Sequence, residues 1–298
     1  LSRHGGTQIE EKENAMSVWL VTGASRGLGV EIARAAVAGG EKVAVAARRP
    51  DSVPEDIRER EEVLTVGLDV TDTDQIYRAV EEVVGKFGRI DVLVNNAGRG
   101  LLGALEEISD AEARSLFDVN VFGLINTTRA VLPHMRTAGG GKLVHIGSRS
   151  GFEGEPGVSM YSASKAAVAG VSEALAAELE PFGIQSMVVE PGVFRTDFLD
   201  ASSVQLPERR IPDYDGTPAH VTLDWAGEAN HTQLGDPVKG AAFIYQVTSG
   251  ETLPLHLPVG ADAFERREVM TARIAREIAP LHAASAATAY VDTERADS

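Results

Sequence analysis

The sequence predicts an α/β fold: one doubly wound, seven-stranded parallel sheet with helices on both faces, forming a single domain. Three observations carry that prediction. From residue 17 onward, short β-branched runs alternate with longer stretches whose apolar residues recur at helical spacing. Several of the short runs, such as VAVAA at 43–47, are apolar throughout instead of alternating, as strands covered on both faces must be. Finally, the first run passes directly into the glycine-rich stretch TGASRGLG at 22–29, which opens the first helical stretch.

Taken in order, the strands are VWLVT (18–22), KVAVAA (42–47), VLTVGL (63–68), IDVLVN (90–95), KLVHIGS (142–148), IQSMVVE (184–190) and LPLHLPV (253–259). The helices between them are GVEIARAAVAG, TDTDQIYRAVEEVVGKFG, SDAEARSLFDVNVFGLINTTRAVLPHM and SKAAVAGVSEALAAELEPFG. Ser109 and Asp110 can start the third of these, and Gly183 can end the fourth. DPVKGAAFIYQVT precedes the last strand as a helix, and ADAFERREVMTARIAREI follows it. Residues 199–235 are polar, rich in Pro, Gly and Asp, and poor in periodic apolar positions, which predicts a substrate lid over one face. The domain is expected over 16–282, with 1–15 a leader extension before Met16 and 283–298 a mobile C-terminal tail.

Bulk composition excludes several function classes. A net charge of −16 repels phosphate backbones and anionic lipid, so neither nucleic acid nor membrane is an expected partner. No run of 18 apolar residues exists and the N-terminus is polar, which argues against membrane insertion and secretion. The absence of cysteine excludes disulfides and thiolate metal sites and agrees with a cytoplasmic location. The seven histidines show no ligand spacing; His134, His145, His220 and His231 read as surface or packing residues, and no metal is expected.

Two glycine stretches compete for the phosphates of a dinucleotide. GRGLLG at 98–103 spells G-x-G-x-x-G but follows a later strand and leads into no immediate helix cap, so it reads as a flexible turn entering the substrate side of a cleft. TGASRGLG deviates from the spelling yet lies between a strand end and a helix start, where backbone N–H groups and the helix dipole converge on an anion.

Six separated motifs then occur in one order: TGASRGLG, NNAG at 95–98, Asn120 in DVNVFG, Ser148 in HIGSRSG, Tyr161 and Lys165 in YSASK, and PGVFRT at 191–196. Together they resemble the short-chain dehydrogenase/reductase family, in its Tyr-x-x-x-Lys group, in detail over about 17–198 and loosely to about 280. The resemblance implies a Rossmann fold and a catalytic set of Asn120, Ser148, Tyr161 and Lys165. Tyr161 and Lys165, four apart, share a helix face, so the ammonium would favour the phenolate and make Tyr161 a general acid/base. Ser148 would hydrogen-bond the same substrate oxygen, Lys165 would hold the nicotinamide ribose, and Asn120 would anchor a water relay.

For the cofactor, the resemblance assigns Gly23, Ser25, Arg26, Gly27, Leu28 and Gly29 to the diphosphate turn, and Asp69 and Val70 to the adenine. It places Asn95, Ala97 and Gly98 along the channel and Pro191, Gly192, Val193 and Thr196 at the nicotinamide. Thr22 would stabilise the turn and Glu190 has no assigned role. The second strand ends in Ala47 where an acidic residue would accept the ribose hydroxyls of NAD. Arg48 and Arg49 follow, and with Arg26 they could converge on a 2′-phosphate, so NADP(H) is expected.

The expected reaction interconverts a ketone or aldehyde and an alcohol, with Arg99, Leu101, Leu102, Phe152, Glu153, Val193, Phe194 and Phe198 as candidate substrate contacts. The alternatives are an NADP(H)-binding sensor without turnover, and an epimerase or dehydratase on a related fold; the TGxxxGxG spelling and short tail argue against the latter. The resemblance also implies a homodimer or homotetramer built on helices around 110–136 and 157–181.

Overall fold

In the computed structural model, the described residues are 16–290; the leader expected at 1–15 and the end of the tail, 291–298, lie outside them. The central sheet holds β1 (Val18–Thr22), β2 (Lys42–Ala47), β3 (Val63–Gly67), β4 (Val92–Asn95), β6 (Gly141–Ile146), β7 (Ile184–Pro191) and β9 (His256–Val259). A short pair, β5 (Gly100–Leu101) and β8 (Val204–Gln205), lies apart from it. The strand order is β3-β2-β1-β4-β6-β7-β9 and every pairing is parallel, so the seven expected strands and their doubly wound arrangement are present. Successive residues of β1 feed opposite cores. Trp19 and Val21 pack in one core with α1 (Gly27–Ala38), the short α2 (Glu55–Arg58) and α8 (Pro237–Ser249), while Val18 and Leu20 pack with α3 (Thr73–Phe87) and α5 (Leu124–Ala138). The chain order reverses between β1 and β4, and a crevice opens at the carboxyl ends of strands at such a point.

Local chemistry sets the helix ends. Asp72 caps α3 by accepting from Gln75 N at 3.0 Å, and Gly88, at φ 85°, ends it in the left-handed region. Ser109 starts α4 (Asp110–Phe117) with a capping box completed by Glu112.

The long helix expected over 109–135 is broken. Between α4 and α5 the chain widens into a π-helical stretch, Asp118–Gly123. Gly123 lies so close to the segment after β3 that a Cβ there would stand 2.7 Å from Val70 Cγ2. The GRGLLG stretch is not a flexible turn: its Gly100 and Leu101 are buried and pair in parallel with β8. The lid region also holds more structure than its composition suggested. It includes α7 (Pro218–Ala229), whose Leu223 and Ala226 pack with Leu102, Val158 and Tyr161. Beyond β9, α9 (Ala261–Ile278) runs into the short α10 (His282–Ala286), so the expected tail begins as helix.

Candidate active site

One cavity of about 1210 Å³ runs along the carboxyl ends of the strands, from Arg48 and Asp69 at one end to Thr222, Trp225 and Arg266 at the other. Its floor begins at the glycine turn. Thr22 Oγ1 accepts from Asn96 N at 3.0 Å and Ala97 N at 3.1 Å and donates to Val94 O at 3.3 Å, which locks the end of β1 to the end of β4. Asn96 returns the contact, donating Nδ2 to Thr22 O and Gly23 O. These bonds leave no room for side chains. A Cβ at Gly29 would meet Asn96 Nδ2, and one at Gly23, which has φ +64°, would sit 2.7 Å from Ala97 Cα. The first turn of α1 has neither a side-chain cap nor an acidic residue, so its N–H groups and positive dipole end face the cavity uncompensated. That end is chemically suited to a diphosphate, and the cavity has the volume for a dinucleotide.

The four residues assigned to catalysis come from three places in the fold. Ser148 lies just beyond β6, Tyr161 and Lys165 on α6 (Ser159–Glu178), and Asn120 in the π-helical stretch. Lys165 is buried and donates Nζ to Ile146 O at 2.8 Å; its Nζ lies 5.8 Å from the Tyr161 ring centre. Burial pulls Lys165 down to about 8. Burial pushes the Tyr161 hydroxyl up to about 12, against a hydrogen bond with Ser148 that lowers it, and Glu155 adds to the rise. The expected phenolate is therefore not what the protein alone sets up: desolvation is the largest influence on the hydroxyl, and Tyr161 is a protonated phenol at neutral pH. Asn120 is buried, accepts from Arg99 N, and donates to Arg99 O and Ser164 Oγ at 2.9 and 3.1 Å. A Cβ at Gly98 would stand 3.3 Å from Asn120 Oδ1 and 3.6 Å from Lys165 Nζ, so the glycine keeps both groups close to the cavity floor.

Most of the expected cofactor residues line this cavity: Gly23, Ser25 to Gly29, Arg48, Arg49, Asp69, Val70, Ala97, Gly98, Pro191 to Val193 and Thr196. Asn95 does not. It is buried, and Nδ2 lies 2.9 Å from Thr128 Oγ1 and 3.1 Å from His145 Nδ1, so the channel residue of the pair is Asn96. Alternation along β4 places neighbouring side chains on opposite sides, which a doubled Asn conceals. His145 is a packing residue as expected, held down at about 4 by burial. The three arginines do not converge. Arg26 reaches across the cavity mouth to Ser202 and Ser203, whereas Arg48 and Arg49 are exposed at its cofactor end.

At the substrate end, Arg99, Leu102, Glu153, Val193, Phe194 and Phe198 face the cavity, but Leu101 is buried in β5 and Phe152 lies beneath the Arg267 guanidinium. Sequence patterning missed Glu155, Trp225, Gln233 and Arg266 on the wall. It also missed Asp197, Asp200 and His231, which bring one potential ligand atom each within 4.8 Å of one another. Only the Thr217-Pro218 pair, which starts α7, was a usable local signal.

Comparison with known proteins agrees with this architecture. The family model described as short chain dehydrogenase matches residues 17–206. Oxidoreductase BOA17 of Botryotinia fuckeliana is 38% identical over 250 residues, covering 83% of this chain and 90% of its own. A 3-ketodihydrosphingosine reductase of Bacteroides thetaiotaomicron is 41% identical over 195 residues, covering 65% and 70%. Among solved structures, a short-chain dehydrogenase from Streptomyces avermitilis superposes with TM-score 0.85 at 39% identity, covering 93% of this chain and 100% of that one. The glycine turn, the Ser-Tyr-Lys set, the seven-stranded sheet and these matches together establish that the chain belongs to the short-chain dehydrogenase family.

Proposed function

We propose that the protein is an NADP(H)-dependent reductase that converts a ketone with a sizeable apolar substituent into an alcohol. The observation that carries this reading is the placement of Ser148, Tyr161 and Lys165 on the wall of the same cavity that the uncapped start of α1 enters. A bound nicotinamide supplies the hydride. The chain's own part is acid catalysis and positioning. Tyr161, a phenol up to about 12, is a donor in the direction of reduction, passing its proton to the carbonyl oxygen as negative charge develops there. Ser148 lies close enough to Tyr161 to lower its hydroxyl and can donate to the same oxygen. The Lys165 ammonium, anchored on Ile146 O, stabilises the phenolate left behind and orients the ribose.

Ala47 at the end of β2, with Arg48 and Arg49 exposed beside the cavity, supports NADP(H) over NAD(H). Two solved structures at 25% identity contain NADP, one of ElxO and one of a short chain dehydrogenase from Burkholderia cenocepacia. Leu102, Val158, Leu199, Val204 and Leu223 pack together around Tyr161 and give the substrate end an apolar wall. The similarity to a reductase of 3-ketodihydrosphingosine fits a ketone on an apolar chain.

A panel of ketones with NADPH, run beside Tyr161→Phe, tests the reading. The variant should retain cofactor binding and lose at least about a thousand-fold in kcat, because proton transfer and carbonyl polarisation go together. NADPH binding with no turnover across the panel would instead make the protein a sensor. An unchanged rate in the variant would remove Tyr161 from the mechanism.

A further inference from the structure

Ser148 is carried by one short turn, and every residue of that turn is held from outside it. Ser148 Oγ accepts from Ser150 N at 3.1 Å and so caps a single turn of 3-10 helix, Arg149–Gly151. Glu155, further along the same loop, grips the first two residues of the turn at once. Its Oε1 accepts from Arg149 Nη2 at 3.0 Å and its Oε2 from Ser150 Oγ at 3.2 Å. The third residue, Gly151, is pressed against α6, where a Cβ would stand 2.9 Å from Lys165 O. The turn is thus clamped between the Glu155 carboxylate and the backbone of the helix that carries Tyr161 and Lys165.

Holding a turn needs acceptors, not a charge, yet Glu155 brings one to the wall of the cavity. The charged groups around it are Arg149, Arg266 on α9 with Nη2 3.8 Å from Oε1, and the carboxylates Glu153 and Asp262. Glu153 pairs with Arg266 at 2.7 Å and Asp262 with Arg149 at 3.4 Å, so three carboxylates share two guanidinium groups and the negative charge is not cancelled. That charge is felt at Tyr161, whose hydroxyl it pushes up. We infer that Glu155 is a positioning residue with two tasks: it fixes the turn that presents Ser148, and it sets a negative charge on the wall shared with Tyr161, which favours the tyrosine as proton donor over proton acceptor. The second task rests on the reductase reading above for its biological sense; the clamp on Ser148 serves either direction of the reaction.

Two substitutions separate the tasks. Glu155→Ala removes both acceptors and the charge, whereas Glu155→Gln removes the charge alone, because its amide can still accept from Arg149 and donate to Ser150 Oγ. Rates of ketone reduction and alcohol oxidation should be followed against pH for both variants and the wild type, with NADPH and with NADH. The alanine variant should lose about ten-fold or more in kcat with cofactor affinity held within about two-fold, and the glutamine variant should recover most of that loss at pH 6. In the glutamine variant the falling limb of reduction and the rising limb of oxidation should both move to lower pH, by about half a unit or more, as Tyr161 gives up its proton more readily. Wild-type kcat in the alanine variant would overturn the clamp. A glutamine profile that superimposes on the wild type would overturn the role of the charge, and an equal loss at every pH in both variants would overturn the assignment as a whole. The reductase reading is tested apart from this by the cofactor-free protein carrying tyrosine labelled with ¹³C at Cζ, with Tyr161→Phe to assign the resonance. A wild type that turns over no ketone would refute that reading, yet a Tyr161 more ionised at pH 11 in the glutamine variant would uphold the charge, and equal ionisation would overturn it.

Discussion

Lys165 shows how much stability a single functional group can cost. It is buried with one hydrogen bond, to Ile146 O, and burial lowers it from 10.5 to about 8. Between those values the unfolded chain holds the proton that the folded chain has lost, so stability rises with pH across the window; below about 8 the full penalty applies. At about 1.4 kcal/mol per unit that penalty is about 3 kcal/mol. Lys165→Met removes it while leaving the Ile146 carbonyl without a donor, a loss of about 1 kcal/mol. The variant should be inactive yet about 2 kcal/mol more stable at pH 7 in urea unfolding, with the gain fading toward pH 10.5. A variant less stable at pH 7 would mean that the ammonium has compensation beyond its one hydrogen bond. The Tyr161 and Lys165 pair was legible in the sequence as Tyr-x-x-x-Lys, but its electrostatics were not, because desolvation depends on how tightly the site closes.

At the scale of elements, a buried imidazole ties α7 to the turn after β5. His220 on α7 lies 2.9 Å from Glu107 Oε1 through Nε2 and 3.0 Å from Asp215 Oδ1 through Nδ1, and Glu107 also accepts from Ala104 N and Ile211 N. His220→Leu would leave the buried Glu107 carboxylate without its side-chain partner, a defect of about 3 kcal/mol. The damage should stay local. Residues 206–230 should become several-fold more sensitive to protease and the KM for a ketone should rise, with little change in the main unfolding transition; an unaltered digestion pattern would show that α7 is held by its apolar face instead. His220 was expected to be a packing residue, and it is one, but its partners lie five residues before it and across the lid in the turn after β5. The major strands were readable because each is long enough to show its apolar run. The pair β5 and β8 was not, since two-residue strands carry no period and are specified by the neighbour they meet: a Cβ at Gly100 would stand 2.9 Å from Val204 Cγ2.

For the whole molecule, the C-terminal end of the sheet and the cavity are coupled through α9. Asp262 at its start accepts from Val193 N at 3.0 Å and pairs with Arg149 Nη1 at 3.4 Å, while Arg266 pairs with Glu153 at 2.7 Å. A helix outside the region matched by the family model therefore braces both the PGVFRT loop and the loop after Ser148. Asp262→Ala should lower kcat/KM about ten-fold or more, consistent with losing a charged acceptor to a main-chain N–H, and Asp262→Asn should restore part of it. Wild-type kinetics in the alanine variant would show that Arg266 suffices as the brace. Among the described residues no helix is long and apolar enough to cross a membrane. Gly192 gives the brace a further consequence. A Cβ there would run into the Asp262 carboxylate, so the residue allowed at one position depends on another seventy places along the chain. Chimeras that exchange C-terminal segments between relatives should carry the two as a single heritable unit, since a crossover that brings a side chain to that contact displaces the Asp262 carboxylate from Val193 N and Arg149.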